Sequence, residues 1–175
     1  PATEGAYDRT YNGGIRDGFV AKVSREGVLL FWTYIGGDRE ERLYDVSVNA
    51  EGNILVCGST DVTGDRRFPT KNPVQGFGGQ YDAFLAILDP GGSSLLFATT
   101  FGGGEFDEVY ALTLNGPGGS VAIGGTTGST NLSVSPEAVQ PAKVNNNTAV
   151  GFLALIDTAA SKVVYSTYLG GFNCC

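Results

Sequence analysis

One segment of the chain is written three times, and that repetition constrains the fold more than any local propensity. Asp17-Gly18-Phe19-Val20-Ala21-Lys22-Val23 returns as Asp82-Ala83-Phe84-Leu85-Ala86-Ile87-Leu88 and again as Gly151-Phe152-Leu153-Ala154-Leu155-Ile156. A polar turn follows each copy, Ser24 to Gly27, Asp89 to Gly92 or Asp157 to Ala160. A second apolar and aromatic run then ends in a Gly pair: Leu29 to Gly37, Leu95 to Gly103 and Val163 to Gly171. In the first two copies an acidic loop leads into Leu43-Tyr44-Asp45-Val46-Ser47-Val48 or Val109-Tyr110-Ala111-Leu112-Thr113-Leu114. Apolar residues alternate there with period two, which predicts strands and not helix. A turn rich in Gly and Asn (49–53, 115–119) joins each to Ile54-Leu55-Val56-Cys57-Gly58-Ser59 or Val121-Ala122-Ile123-Gly124-Gly125-Thr126, the signal of a hairpin.

Four short strands per full copy, separated by proline-marked connectors with no sustained 3.6 period, predict an all-β fold of β-propeller-like four-stranded antiparallel blades. The chain reads as one repeat domain, 1–175, with units of approximately 1–68, 69–135 and 136–175, the last incomplete. The order Asp-[Gly/Ala]-Phe-[Val/Leu]-Ala, then Leu-Leu-Phe-x-Thr-[Tyr/Phe]-x-Gly-Gly, then a strand, a turn and a run ending Gly-[Ser/Thr]-Thr resembles the SBBP-type β-propeller repeat of bacterial and archaeal surface and secreted proteins. The connectors, Phe68-Pro69-Thr70 through Gln75 and Ala6-Tyr7-Asp8-Arg9-Thr10-Tyr11-Asn12-Gly13-Gly14, are similar to that family's as well. The resemblance covers nearly the whole chain and implies an extracellular or cell-surface module. Residues 141–150 depart from it as an insertion. A single Trp and no Trp-Asp dipeptide argue against WD40 blades, and no Asp-x-Asp-x-Asp-Gly calcium loop is present.

The copies amount to about 2.5 repeats, whereas propellers close with ~4 to 8 blades, so this chain alone is not expected to close a ring. An unfinished sheet leaves backbone groups unpaired, a template for self-association or for the remaining blades of a longer chain. Head-to-tail completion that does not close would give a filament. A chain that begins Pro1-Ala2-Thr3-Glu4 and contains no Met is expected to be processed or excised from a precursor.

Composition narrows the chemistry. With no His, the Ser-His-Asp and Cys-His arrangements, histidine metal sites and imidazole acid-base catalysis are excluded. A formal net charge of −7 without a basic stripe argues against nucleic acid and anionic membranes, and no apolar run is long enough for membrane insertion. Cys57, Cys174 and Cys175 lack Cys-x-x-Cys spacing. They form disulfides in an oxidising compartment or remain free thiols with Cys57 buried.

Few residues offer a site. Asp38, Glu40 and Glu41 and the matching Glu105, Asp107 and Glu108 form acidic loops that would hold a hard cation such as Ca²⁺, supply glycosidase carboxylates, or simply cap strand ends as solvated turns. In the aromatic series, alternation places Phe31 on the face opposite Trp32 and Tyr34. Trp32, whose counterparts are Ala98 and Ser166, is the candidate for stacking on a ligand such as a glycan. Asn131 and Asn146 head glycosylation sequons. No cofactor is implied. The expected function is a non-enzymatic extracellular structural module of a surface layer, fibre or adhesin stalk, the alternative a carbohydrate-binding propeller; an enzyme built on carboxylates alone stands third.

Overall fold

The computed structural model describes residues 2–64, 68–115, 119–144 and 148–170. All ten anticipated strands form, and no helix occurs among the described residues. They are β1 (Gly18–Val23), β2 (Leu29–Ile35), β3 (Glu41–Val48), β4 (Ile54–Asp61), β5 (Tyr81–Leu88), β6 (Leu95–Phe101), β7 (Asp107–Asn115), β8 (Ser120–Thr127), β9 (Val150–Asp157) and β10 (Lys162–Leu169). Hydrogen bonding sorts them into three antiparallel sheets, β1-β2, β3-β4-β5-β6 and β10-β9-β8-β7, and among the described residues no barrel closes.

The four strands of one sequence copy do not share a sheet. Each four-stranded sheet takes its first pair from one copy and its second pair from the next, so the sheets run half a unit out of phase with the repeat. The short acidic loop after the Gly pair carries the chain to a new sheet. The long connector, by contrast, returns it to the sheet it left: β4 pairs with β5 across residues 62–80, and β8 with β9 across 128–149. The two-stranded sheet is consequently the first one, while the last copy's pair, β9-β10, completes the third sheet.

Register repeats with the sequence. Gly58 opposes Phe84 as Gly125 opposes Phe152, Val56 opposes Ala86 as Ile123 opposes Ala154, and Ile54 opposes Leu88 as Val121 opposes Ile156. Bulges fall at matching places, Leu43/Asp45 and Val109/Ala111. The connectors also cover the outer edges. Thr3 N–H donates to the Trp32 carbonyl on β2 (3.0 Å), Lys71 and Ala98 exchange N–H···O bonds on β6 (2.8 and 2.9 Å), and Ser135 N–H donates to the Ser166 carbonyl on β10 (3.0 Å). Backbone groups that would template aggregation are thereby satisfied.

The sheets pack face to face with β3-β4-β5-β6 in the middle. One core, including Val20, Phe31, Ile35, Ile54, Phe84 and Leu88, lies between the first and second sheets. The other, including Leu55, Cys57, Leu85, Phe101, Phe152 and Tyr168, lies between the second and third, where the Phe101 and Phe152 rings stack at 5.4 Å. β4 and β5 are covered on both faces, which is why they are buried almost end to end and carry unbroken apolar stretches at 54–57 and 83–88.

Turn glycines tie these layers together. Gly92, at φ +65°, ends the β5-β6 turn directly over Phe31 of the first sheet, and any Cβ there would collide with that ring. Gly27 has φ +81° but open space around it. Gly92→Ala is therefore expected to cost about 3 kcal/mol, combining backbone strain with overpacking, and Gly27→Ala only about 1 kcal/mol. Urea unfolding of the two variants checks the difference.

Candidate functional site

The three copies place equivalent residues in unequal surroundings. β5 and β9 are paired along both edges, whereas β1, their counterpart, pairs among the described residues with β2 alone. Phe84 and Phe152 are buried, at 0% and 2% exposure, but Phe19 is 58% exposed. Across from β1, Val46 and Val48 of β3 are about as exposed, whereas their counterparts Leu112 and Leu114 pack against the second core. Between β1 and β3 runs an apolar groove lined by Phe19, Ala21, Tyr44, Val46 and Val56, continuing past Val48 and Ile54.

At one end the groove meets a polar network joining all three sheets. Glu40, buried just ahead of β3, accepts Arg16 Nε at 2.8 Å, Arg42 Nε at 3.0 Å and the Tyr81 hydroxyl at 3.4 Å. Glu108 on β7 accepts the hydroxyls of Tyr44 (2.9 Å), Ser59 (3.3 Å) and Tyr110, with Arg42 Nη1 at 3.8 Å. The Tyr44 and Tyr110 rings meet edge to face at 5.1 Å. Its hydrogen bond to Glu40 holds the Arg42 guanidinium in its charged form. Each buried carboxylate thus has several donors, the condition under which burying a charge is tolerated. Sequence reasoning singled out Glu40 and Glu108 but missed Arg16 and the two tyrosines. The repeated position of Tyr44 and Tyr110 was the available signal.

The remaining acids divide by burial. Glu41 is almost wholly buried, accepting the Thr60 hydroxyl at 2.9 Å, with its other carboxylate oxygen against Gly36. Asp107, its counterpart, accepts Gly103 N–H at 2.8 Å and the Ser129 hydroxyl at 2.9 Å. In both copies, therefore, the acid after the Gly pair turns back onto that pair, and in the second copy it takes the pair's second N–H. Burial raises the Glu41 carboxyl to about 7 against the pull of its hydrogen bonds, and burial likewise raises Asp107. Asp38 packs beside Gly13 and Gly64, and Glu105 is exposed. The acidic loops are thus dispersed, and among the described residues no three Asp, Glu, His or Cys side chains converge as a metal site would require.

Trp32 lies on the face of the first sheet turned away from the core, as alternation requires. There Tyr11, Tyr34, Trp32 and Phe19 form a row with successive ring centroids 6.3, 5.9 and 5.6 Å apart. Its counterparts are small because Ala98 and Ser166 are buried between sheets. Cys57 is a free, fully buried thiol on β4, pushed up to about 12 by burial. Asn131 is exposed, its carbonyl oxygen accepting Gly104 N–H at 2.8 Å. Asn146, Cys174 and Cys175 lie outside the described residues.

No protein-family model matches the chain, and no curated protein matches it. The site is read from its geometry.

Two outcomes follow from the buried groups. Because the Glu41 carboxyl titrates higher in the folded state than its ordinary 4.5, its contribution to stability is full below pH ~4.5 and is lost as pH rises through about 7. Glu41→Gln is expected to flatten that decline, which amounts to at most about 3 kcal/mol, in unfolding curves measured between pH 4 and 8. Cys57 is expected to react with a thiol reagent only on unfolding, which alkylation with and without denaturant checks.

Proposed function

We propose that the chain is a non-enzymatic structural module, a sector of a propeller of the SBBP-type repeat whose sheets are completed by other copies or by the remaining blades of a longer polypeptide. The observation that carries this reading is β1, an interior strand by sequence with one edge left unpaired. Both ends of the stack also present apolar surface: Phe19 beside Trp32 on the first sheet, and Leu153 and Leu169 on the third. Exposed apolar surface of this kind marks association. The absence of His and the commitment of Glu40, Glu41, Asp107 and Glu108 to holding sheets and loops together favour a structural role over a catalytic one. A surface layer, fibre or adhesin stalk outside the cell is the setting that suits such a module.

The aromatic row supports a second reading, a carbohydrate-binding face on which sugar rings stack. The two separate by experiment. Sedimentation is expected to show concentration-dependent association that Phe19→Lys combined with Leu153→Lys reduces at least about tenfold, the effect of placing charge in an apolar contact. A monodisperse monomer that binds glycans, and loses them on Trp32→Ala, would replace the first reading by the second.

A further inference from the structure

Resting on the assembly reading, we infer the identity of the missing partner: the groove between β1 and β3 is the seat of a two-stranded β-hairpin from an additional copy of this repeat, its second strand antiparallel to β1. The chain itself shows what occupies this place. Where β1 has an open edge, β5 carries β4 and β9 carries β8, each as the second strand of a hairpin. The groove is continuous with the core between the first two sheets, since Val20 and Val56 belong to both. A hairpin seated there would cover Val46 and Val48 as β3 and β4 cover Leu112 and Leu114 of the third sheet. None of the chain's own described hairpins is spare, because β4 and β8 already have partners on both edges.

The two filled positions define what the occupant must carry. Opposite the phenylalanine stands glycine in both, and each is required twice. A Cβ on Gly58 would strike the Arg42 carbonyl and come 3.0 Å from the Phe84 ring. One on Gly125 would strike the Glu108 carbonyl and come 2.8 Å from Val109 Cα. Opposite the alanine stands Val56 or Ile123, and opposite the last apolar residue stands Ile54 or Val121. The docking strand therefore reads [Ile/Val]-x-[Val/Ile]-x-Gly-[Ser/Thr]-Thr, with its glycine opposite Phe19, its β-branched residue opposite Ala21, and its first residue opposite Val23. Residues 2–17, which already cover the edge of β2, would then take the place that 62–80 take before β5. This is strand addition in which backbone bonds give affinity and alternate side chains give specificity.

The test grafts residues 107–127 ahead of Pro1, so that the hairpin reaches β1 through the existing connector. The expected result is a rise in thermal midpoint of about 5 °C or more. It should be abolished by Gly125→Val within the graft, and reduced by Val46→Lys in the groove wall, an exposed position that leaves the ungrafted fold intact. A synthetic 107–127 peptide, followed by fluorescence anisotropy, is expected to bind the ungrafted chain and to lose at least tenfold in affinity with either change. No rise in midpoint, or a rise that survives Gly125→Val, would overturn the assignment. If the ungrafted chain associates and the graft leaves that association untouched, the assembly reading stands and only the hairpin assignment fails. If there is neither association nor a graft effect, both fail.

Discussion

An interior β-strand has two rows of backbone donors and acceptors, and every buried one of them needs a partner. In this protein the two rows are satisfied by different copies of the repeat. The first strand of a copy bonds its own second strand on one side and the fourth strand of the preceding copy on the other, as β5 and β9 both do. This crossing makes each sheet depend on two copies, and the two cores and the polar network are arranged around it. It also leaves β1, which has no preceding hairpin among the described residues, with one row open.

The loops that carry the crossing are held by buried carboxylates. Glu41 and Asp107 each turn back onto a Gly pair, at the loop where the chain leaves one sheet for the next. Glu40 ties the start of β3 to Arg16, just ahead of β1, and Glu108 ties β7 to Tyr44 and Arg42 of β3. The carboxylates of these pairs are buried and the arginines partly exposed, an arrangement that brings geometric specificity more readily than net stability, while the apolar cores supply most of the free energy.

Much of this was legible in the residues. The threefold repeat, period-two alternation in β3 and β7 and Gly-marked turns located all ten strands, and alternation placed Phe31 and Trp32 on opposite faces. Sheet membership was not legible, because a repeat has no phase of its own. The same string of strands divides into sheets at the connectors or at the Gly pairs, and only the hydrogen-bond register chooses. The acidic loops looked alike for a related reason: Glu40 and Glu41 are adjacent in sequence yet serve separate tasks, one facing Arg16 and Arg42, the other buried beneath Thr60. Sequence spacing shows that acids cluster in a loop and does not show toward which neighbour each side chain turns.

β1 combines the sequence of an interior strand with the hydrogen bonding of an edge. Native-state amide hydrogen exchange, compared residue by residue along β1, β5 and β9 in dilute protein, is the decisive measurement. Alternate amides of β1, those facing the open edge, are expected to exchange on the order of 100-fold or more faster than their counterparts in β5 and β9. Uniform protection along all three strands would contradict it.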